Sequence, residues 1–136
     1  MKKHISYFYI ILSLSCTVNF QDNLYGKRVQ YDIGKQIQYR VFTVHFLGIR
    51  HETPDVFPIG WDVFDFVCVS NSGDSILVSW SAGTGLIGPE TFMLDGKSYV
   101  LELKVTGSKH LSQNHRLKDN EMIIWEAETY RNELKK

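Results

Sequence analysis

From Gln36 onward apolar and polar side chains alternate with a period of two. In QIQYRVFTVHFLGI the odd positions Ile37, Tyr39, Val41, Leu47 and Ile49 are apolar against Gln36, Gln38 and Arg40, and from Phe42 the even positions Phe42, Val44 and Phe46 turn apolar as well. Successive strand side chains point to opposite faces, so the pattern predicts one long strand, half buried at its start and covered on both faces further along. The run WDVFDFVCVS, Trp61 to Ser70, is rich in β-branched and aromatic residues and ends in the turn cluster Asn71-Ser72-Gly73-Asp74. After it Ile76, Val78 and Trp80 alternate with Ser75, Ser79 and Ser81, which completes a hairpin.

A second hairpin is predicted around Asp95-Gly96, a dipeptide that accepts positive φ in a two-residue turn, with Thr91 to Leu94 and Lys97 to Thr106 as its arms. In the second arm Tyr99, Leu101, Leu103 and Val105 are expected to face in, and Ser98, Glu102, Lys104 and Thr106 to face out. The polar stretch GSKHLSQNHRLKDN separates this hairpin from a last strand, in which Ile123, Trp125 and Ala127 alternate with Ile124, Glu126 and Glu128. Val29, Tyr31 and Ile33 suggest one more short strand near the start, and the tail YRNELKK has no capping residue to commit it to a helix. Six or seven strands joined by short turns, with no amphipathic helix of ordinary length, make this an all-β protein, an antiparallel β-sandwich or a small barrel.

One stretch pulls towards a different class. In SWSAGTGLIGPE the residues Gly83, Gly85 and Gly88 have the spacing G-x-G-x-x-G of dinucleotide-binding turns. That fingerprint needs a strand running into the turn and a helix starting within it. Here the strand half is present, but Asp95-Gly96 and another strand follow where the body of the helix belongs, so the glycines are read as a sharply turned loop.

The first sixteen residues change the picture of where the chain works. MKKHISYFYIILSLSC has Lys2 and Lys3 ahead of an uncharged run, Ile5 to Leu14, and closes on Ser13, Leu14 and Ser15. This is the tripartite pattern of a secretory signal peptide, and its apolar run falls well short of the roughly twenty residues that a span requires. Residues 1–15 are therefore expected to be a leader and 16–136 a single all-β domain, exported to the periplasm or cell envelope. Cys16 follows the expected cut and is a candidate lipidation site, the one route by which the chain would meet a membrane. Cys68 sits in an apolar strand and reads as a small buried hydrophobe.

Charge then excludes one partner class. The whole chain carries 15 basic and 15 acidic side chains; Lys2 and Lys3 leave with the leader and no acid does, so the mature chain has a net charge of −2. Neither a basic face nor a basic run is available to track phosphates, which argues against nucleic acid.

Candidate chemistry is sparse. Of the histidines left after processing, His45, His51, His110 and His115, none stands at a metal-ligand spacing, and nothing in the sequence calls for a cofactor. Ser79 and Ser81 lack a nucleophile signature, and the carboxylates Glu102, Glu126 and Glu128 read as a solvated sheet face rather than an acid–base pair. The segment HETPDVFPIGWDVFDF says more, because it sets Phe57, Trp61, Phe64 and Phe66 among Asp55, Asp62 and Asp65 behind Pro54 and Pro58. Acid-flanked aromatics on a loop are what protein interfaces use, an anchor with steering charge around it. Asp55, Phe57, Trp61 and Asp62 are thus the candidate partner-binding residues, with Thr84 and Leu86 of the glycine loop beside them.

The expected function is that of a small exported protein-binding module without catalytic activity. Its profile resembles that of secreted inhibitors and of immunity proteins that neutralise a toxin in the envelope. Two alternatives remain. A small lipid or metal carrier would line an interior cavity with residues such as Tyr39, Trp80 and Trp125, and an envelope hydrolase would gather a serine or carboxylate with its base in a cleft.

Overall fold

The computed structural model describes residues 23–82, 89–103 and 117–136. Eight strands and one short helix follow in chain order: β1 (Val29–Gln30), β2 (Gln36–Gln38), β3 (Phe42–Glu52), β4 (Trp61–Ser70), β5 (Ser75–Ala82), β6 (Glu90–Leu94), β7 (Lys97–Leu103), β8 (Glu121–Glu126) and α1 (Ala127–Glu133). Two four-stranded antiparallel sheets, ordered β1-β8-β7-β6 and β2-β3-β4-β5, pack face to face as a β-sandwich.

The core between the sheets is aromatic. Phe42, Tyr99, Phe92, Phe46, Phe66, Tyr39, Tyr31 and Trp80 are buried together with Met122, Ile124, Val44 and Val78. Their rings meet edge-on, as in Phe42–Tyr99 at 5.0 Å and Tyr31–Phe66 at 5.1 Å, or stacked, as in Phe92–Tyr99 at 5.4 Å. Cys68 is a free, buried thiol that packs as a hydrophobe, and burial pushes its pKa up to about 12.

Both turn clusters do what their residues predict. Asp95 and Gly96 adopt φ of 50° and 73° between paired Leu94 and Lys97, and Gly73 takes φ 99° at the end of β4. The predicted long strand from Gln36 is instead broken into β2 and β3, a tight hairpin closed by the Tyr39 N–H donating to the Phe42 carbonyl at 2.8 Å. Its two loop residues, Arg40 and Val41, are not turn formers. The stacked rings of Tyr39 and Phe42, 5.1 Å apart in the core, hold the reversal instead. The first strand stops at Gln30; Tyr31 goes on into the core, while Ile33 is exposed and makes a single parallel bridge to Phe46.

Glu102 is a second departure. It is 4% exposed, not solvated, because β7 and β8 are covered on both faces. On the far side Val100, Ile123, Trp125 and Leu117 pack under Tyr130 of α1. The open tail therefore becomes a helix held by its one buried residue. With Glu102 under this layer and Glu128 in the helix, the three carboxylates Glu102, Glu126 and Glu128 do not form a common sheet face.

A third departure positions the site. The strand β3 is covered on both faces only in part, for Leu47 and Ile49 are exposed. The register slips between Phe46 and Gly48, a β-bulge that leaves Leu47 unpaired. Beyond it β3 and β4 run on as an arm, with β5 still paired to β4 as far as Asp62 and Ala82. At about 3.3 Å per residue β3 is about 36 Å long.

Candidate functional site

The arm's last rungs pair Arg50 with Val63, His51 with Asp62 and Glu52 with Trp61, and residues 53–60 close it. Two successive turns shape this loop: the Phe57 N–H donates to the Pro54 carbonyl and the Gly60 N–H to the Phe57 carbonyl, both at 2.9 Å. Gly60 has φ 68°, and a Cβ there would lie 2.2 Å from the Glu52 carbonyl oxygen, so only glycine fits. Folded this way, the loop turns apolar side chains outward. Val56 is 81% exposed, Phe57 62% and Ile59 89%, with Ile49 exposed below them.

Polar contacts on both faces of the arm hold it. On one face Arg50 Nε donates to Asp65 Oδ2 at 2.7 Å and its guanidinium also pairs with Glu52, while Ser79 Oγ donates to Asp65 Oδ1 at 2.6 Å from β5. Burial works against ionising Asp65, but the hydrogen bonds from Arg50 and Ser79 outweigh it and hold the carboxyl below its usual range. A depressed pKa contributes stability above the unfolded value, which is lost as pH falls through the folded one. On the other face His51 Nδ1 is 2.8 Å from Asp62 Oδ1 and Nε2 is 3.1 Å from the Ile59 carbonyl.

Of the residues singled out in the sequence, Asp55 and Phe57 are exposed on the loop. Trp61 is half-buried at its foot, edge-on to Phe57 with ring centres 6.3 Å apart. Asp62 is engaged by His51. Phe66 lies in the main core and Phe64 packs against it, so neither belongs to the loop surface. Thr84 and Leu86 lie outside the described residues, as do Cys16, Val105, His110, His115 and the glycines 83, 85 and 88. Ala82 pairs with Asp62, so the chain leaves β5 at the arm's end of the sheet. It resumes with β6 at Glu90, a strand where a dinucleotide turn requires a helix.

Sequence reading missed Val56, Ile59 and Ile49, which stand exposed beside Phe57 on the arm and its loop, and the His51–Asp62 pair. The apolar residues were hidden by their ordinary place in an alternating or proline-bounded run. His51 and Asp62 are eleven residues apart, and only the ladder brings them together.

The remaining chemistry is dispersed. In the ladder His51 and Asp62 share a row with Ala82, whereas Ser79 and Ser81 belong to rows of the opposite face, so neither serine stands beside this histidine. Among the described residues no three His, Cys, Asp or Glu side chains gather where they could hold a metal ion. Tyr39 and Trp80 pack in the main core and Trp125 under the helix on the other side of the sheet, so these three do not line a common space. A shallow cleft of about 290 Å³ lies between the start of β7 and α1, bordered by Lys97, Tyr99, Glu126 and Arg131. Compared with known proteins, the chain matches no family model, no curated protein and no solved structure.

Proposed function

We propose that this protein is a binding module for another protein and that the β3–β4 arm with its 53–60 loop is the contact surface. The observation that carries the reading is the outward display of Val56, Phe57 and Ile59 on a loop whose backbone is fixed by two turns and a glycine. Apolar side chains gathered at an exposed tip gain roughly 25 cal/mol for each Å² they bury on docking. A loop already held in its bound shape loses little entropy in doing so.

Asp55 supplies steering charge beside these anchors, and Trp61 supports Phe57 from below. The tip alone is small against the roughly 800 Å² that one partner buries in a standard interface. Thr84 and Leu86, which follow Ala82, are proposed to extend it. With the leader read at residues 1–15, the protein works outside the cytoplasm, free in the periplasm or tethered through lipid at Cys16, as an inhibitor or toxin-neutralising immunity protein does. The carrier reading is less well supported, since the described interior is filled by packed rings.

Affinity capture of the processed protein from its native cells, followed by mass spectrometry, tests this reading. Wild type is expected to bring down one partner in stoichiometric amount, and Phe57→Ser with Ile59→Ser to lose it. A partner retained equally by the double variant would place the interface elsewhere.

A further inference from the structure

His51 is bracketed by two oxygens that can only accept hydrogen bonds. Its Nδ1 lies 2.8 Å from a carboxylate oxygen of Asp62 and its Nε2 lies 3.1 Å from the carbonyl oxygen of Ile59. A neutral imidazole has one N–H, and its other nitrogen is itself an acceptor. Only the imidazolium can donate to both partners. When the ring loses its proton, a nitrogen lone pair is left facing an oxygen, and one of the two contacts opens.

The Ile59 carbonyl is one end of a rigid unit. It shares a planar peptide group with the Gly60 N–H, which donates to the Phe57 carbonyl at 2.9 Å. A Cβ on Gly60 would lie 2.7 Å from His51 Nε2, so this peptide rests directly against the ring. Whatever the ring does at Ile59 is therefore passed to the turn that carries Phe57 and Ile59.

We propose that His51 is a proton-operated latch on the 53–60 loop, closed when the ring is protonated and loosened when it is not, and that it thereby regulates how the apolar tip is presented to a partner. The consequence for a partner rests on the reading of the tip as a contact surface, whereas the latch itself does not.

Among the described residues the charged surroundings are simple. From β4 the ring faces Asp62, and from the loop it faces the Ile59 carbonyl, Asp55 being that loop's one titratable side chain. On β3 its neighbours Arg50 and Glu52 belong to the opposite face, where they pair with each other and Arg50 with Asp65. The hydrogen bond to Asp62 raises the His51 pKa, with slight desolvation working the other way and the Ile59 carbonyl adding to the rise. A raised folded pKa means that the latch is fully closed below the unfolded value of about 6.5 and is lost as pH rises through the folded value. A tip that needs the closed latch binds more tightly on the acid side.

Nuclear magnetic resonance of the full chain tests this without any partner. Expected are a His51 ring titration with a midpoint above 6.5 and a Gly60 amide whose exchange protection, corrected for intrinsic rates, falls roughly three- to tenfold between pH 5.5 and 8.5. His51→Gln keeps one donor and cannot titrate, so its Gly60 protection should be flat over that range while the amides of the central β3–β4 ladder exchange as in wild type. A midpoint at or below 6.5, or wild-type protection as flat as that of the variant, would overturn the latch and leave the docking surface to be judged by partner capture alone.

Discussion

A buried carboxylate is tolerated only where donors meet it, and Glu102 is the strongest case in this protein. Its Oε2 accepts from the indole Nε1 of Trp125 at 3.1 Å beneath α1. Truncation to alanine removes that acceptor and opens a void, so Glu102→Ala is expected to cost about 2–4 kcal/mol in urea unfolding. Glu102→Gln keeps an oxygen for the indole and should lose distinctly less. Equal losses would mean that shape rather than the hydrogen bond fixes this position. Alternation along β7 reads Glu102 as solvent-facing, because nothing in the tail announces the layer that covers it. Only Tyr130 of the helix is buried, and a single aromatic in YRNELKK carries no periodic signal.

At the scale of elements, turns with their own chemistry were legible and turns held by packing were not. Asn71-Ser72-Gly73-Asp74 and Asp95-Gly96 mark the two hairpins because left-handed backbone has a residue signature. The Arg40-Val41 reversal has none, so the alternation of β2 runs into that of β3 and suggests one strand. The bulge at Leu47-Gly48 likewise shifts the phase of the arm without leaving a mark in the hydrophobic pattern. The Asp95 carboxylate also ties the sheets together, since Ser70 and Ser72 of the β4–β5 turn both donate to it, the latter at 2.9 Å. Replacing Gly96, at φ 73° with open space around it, should cost about 1 kcal/mol from backbone strain alone. A Gly96→Ala variant as stable as wild type in urea would show that the turn relaxes to another type.

Across the whole molecule, the residues that hold the sandwich are distinct from those proposed to meet a partner. Phe42 is wholly buried at the meeting point of both sheets, in ring contact with Tyr39, Phe92 and Tyr99. Phe42→Ala should cost about 3–5 kcal/mol. Phe57→Ala, on the arm, should change stability by no more than about 0.5 kcal/mol. Comparable losses in both would mean that Phe57 belongs to the core. That division also explains what could be read beforehand: composition and alternation report burial, hence the sandwich class, whereas an exposed tip depends on an arm length that only the register reveals.

The most direct measurement of the central claim is site-specific photocrosslinking in the native cells. A photoreactive phenylalanine analogue would be placed at position 57, and as a control at Met93, which is equally exposed at 62% but on β6 of the other sheet. The arm as docking surface predicts one discrete adduct from position 57 and none from position 93. No adduct at 57, or the same adduct from both positions, would contradict it.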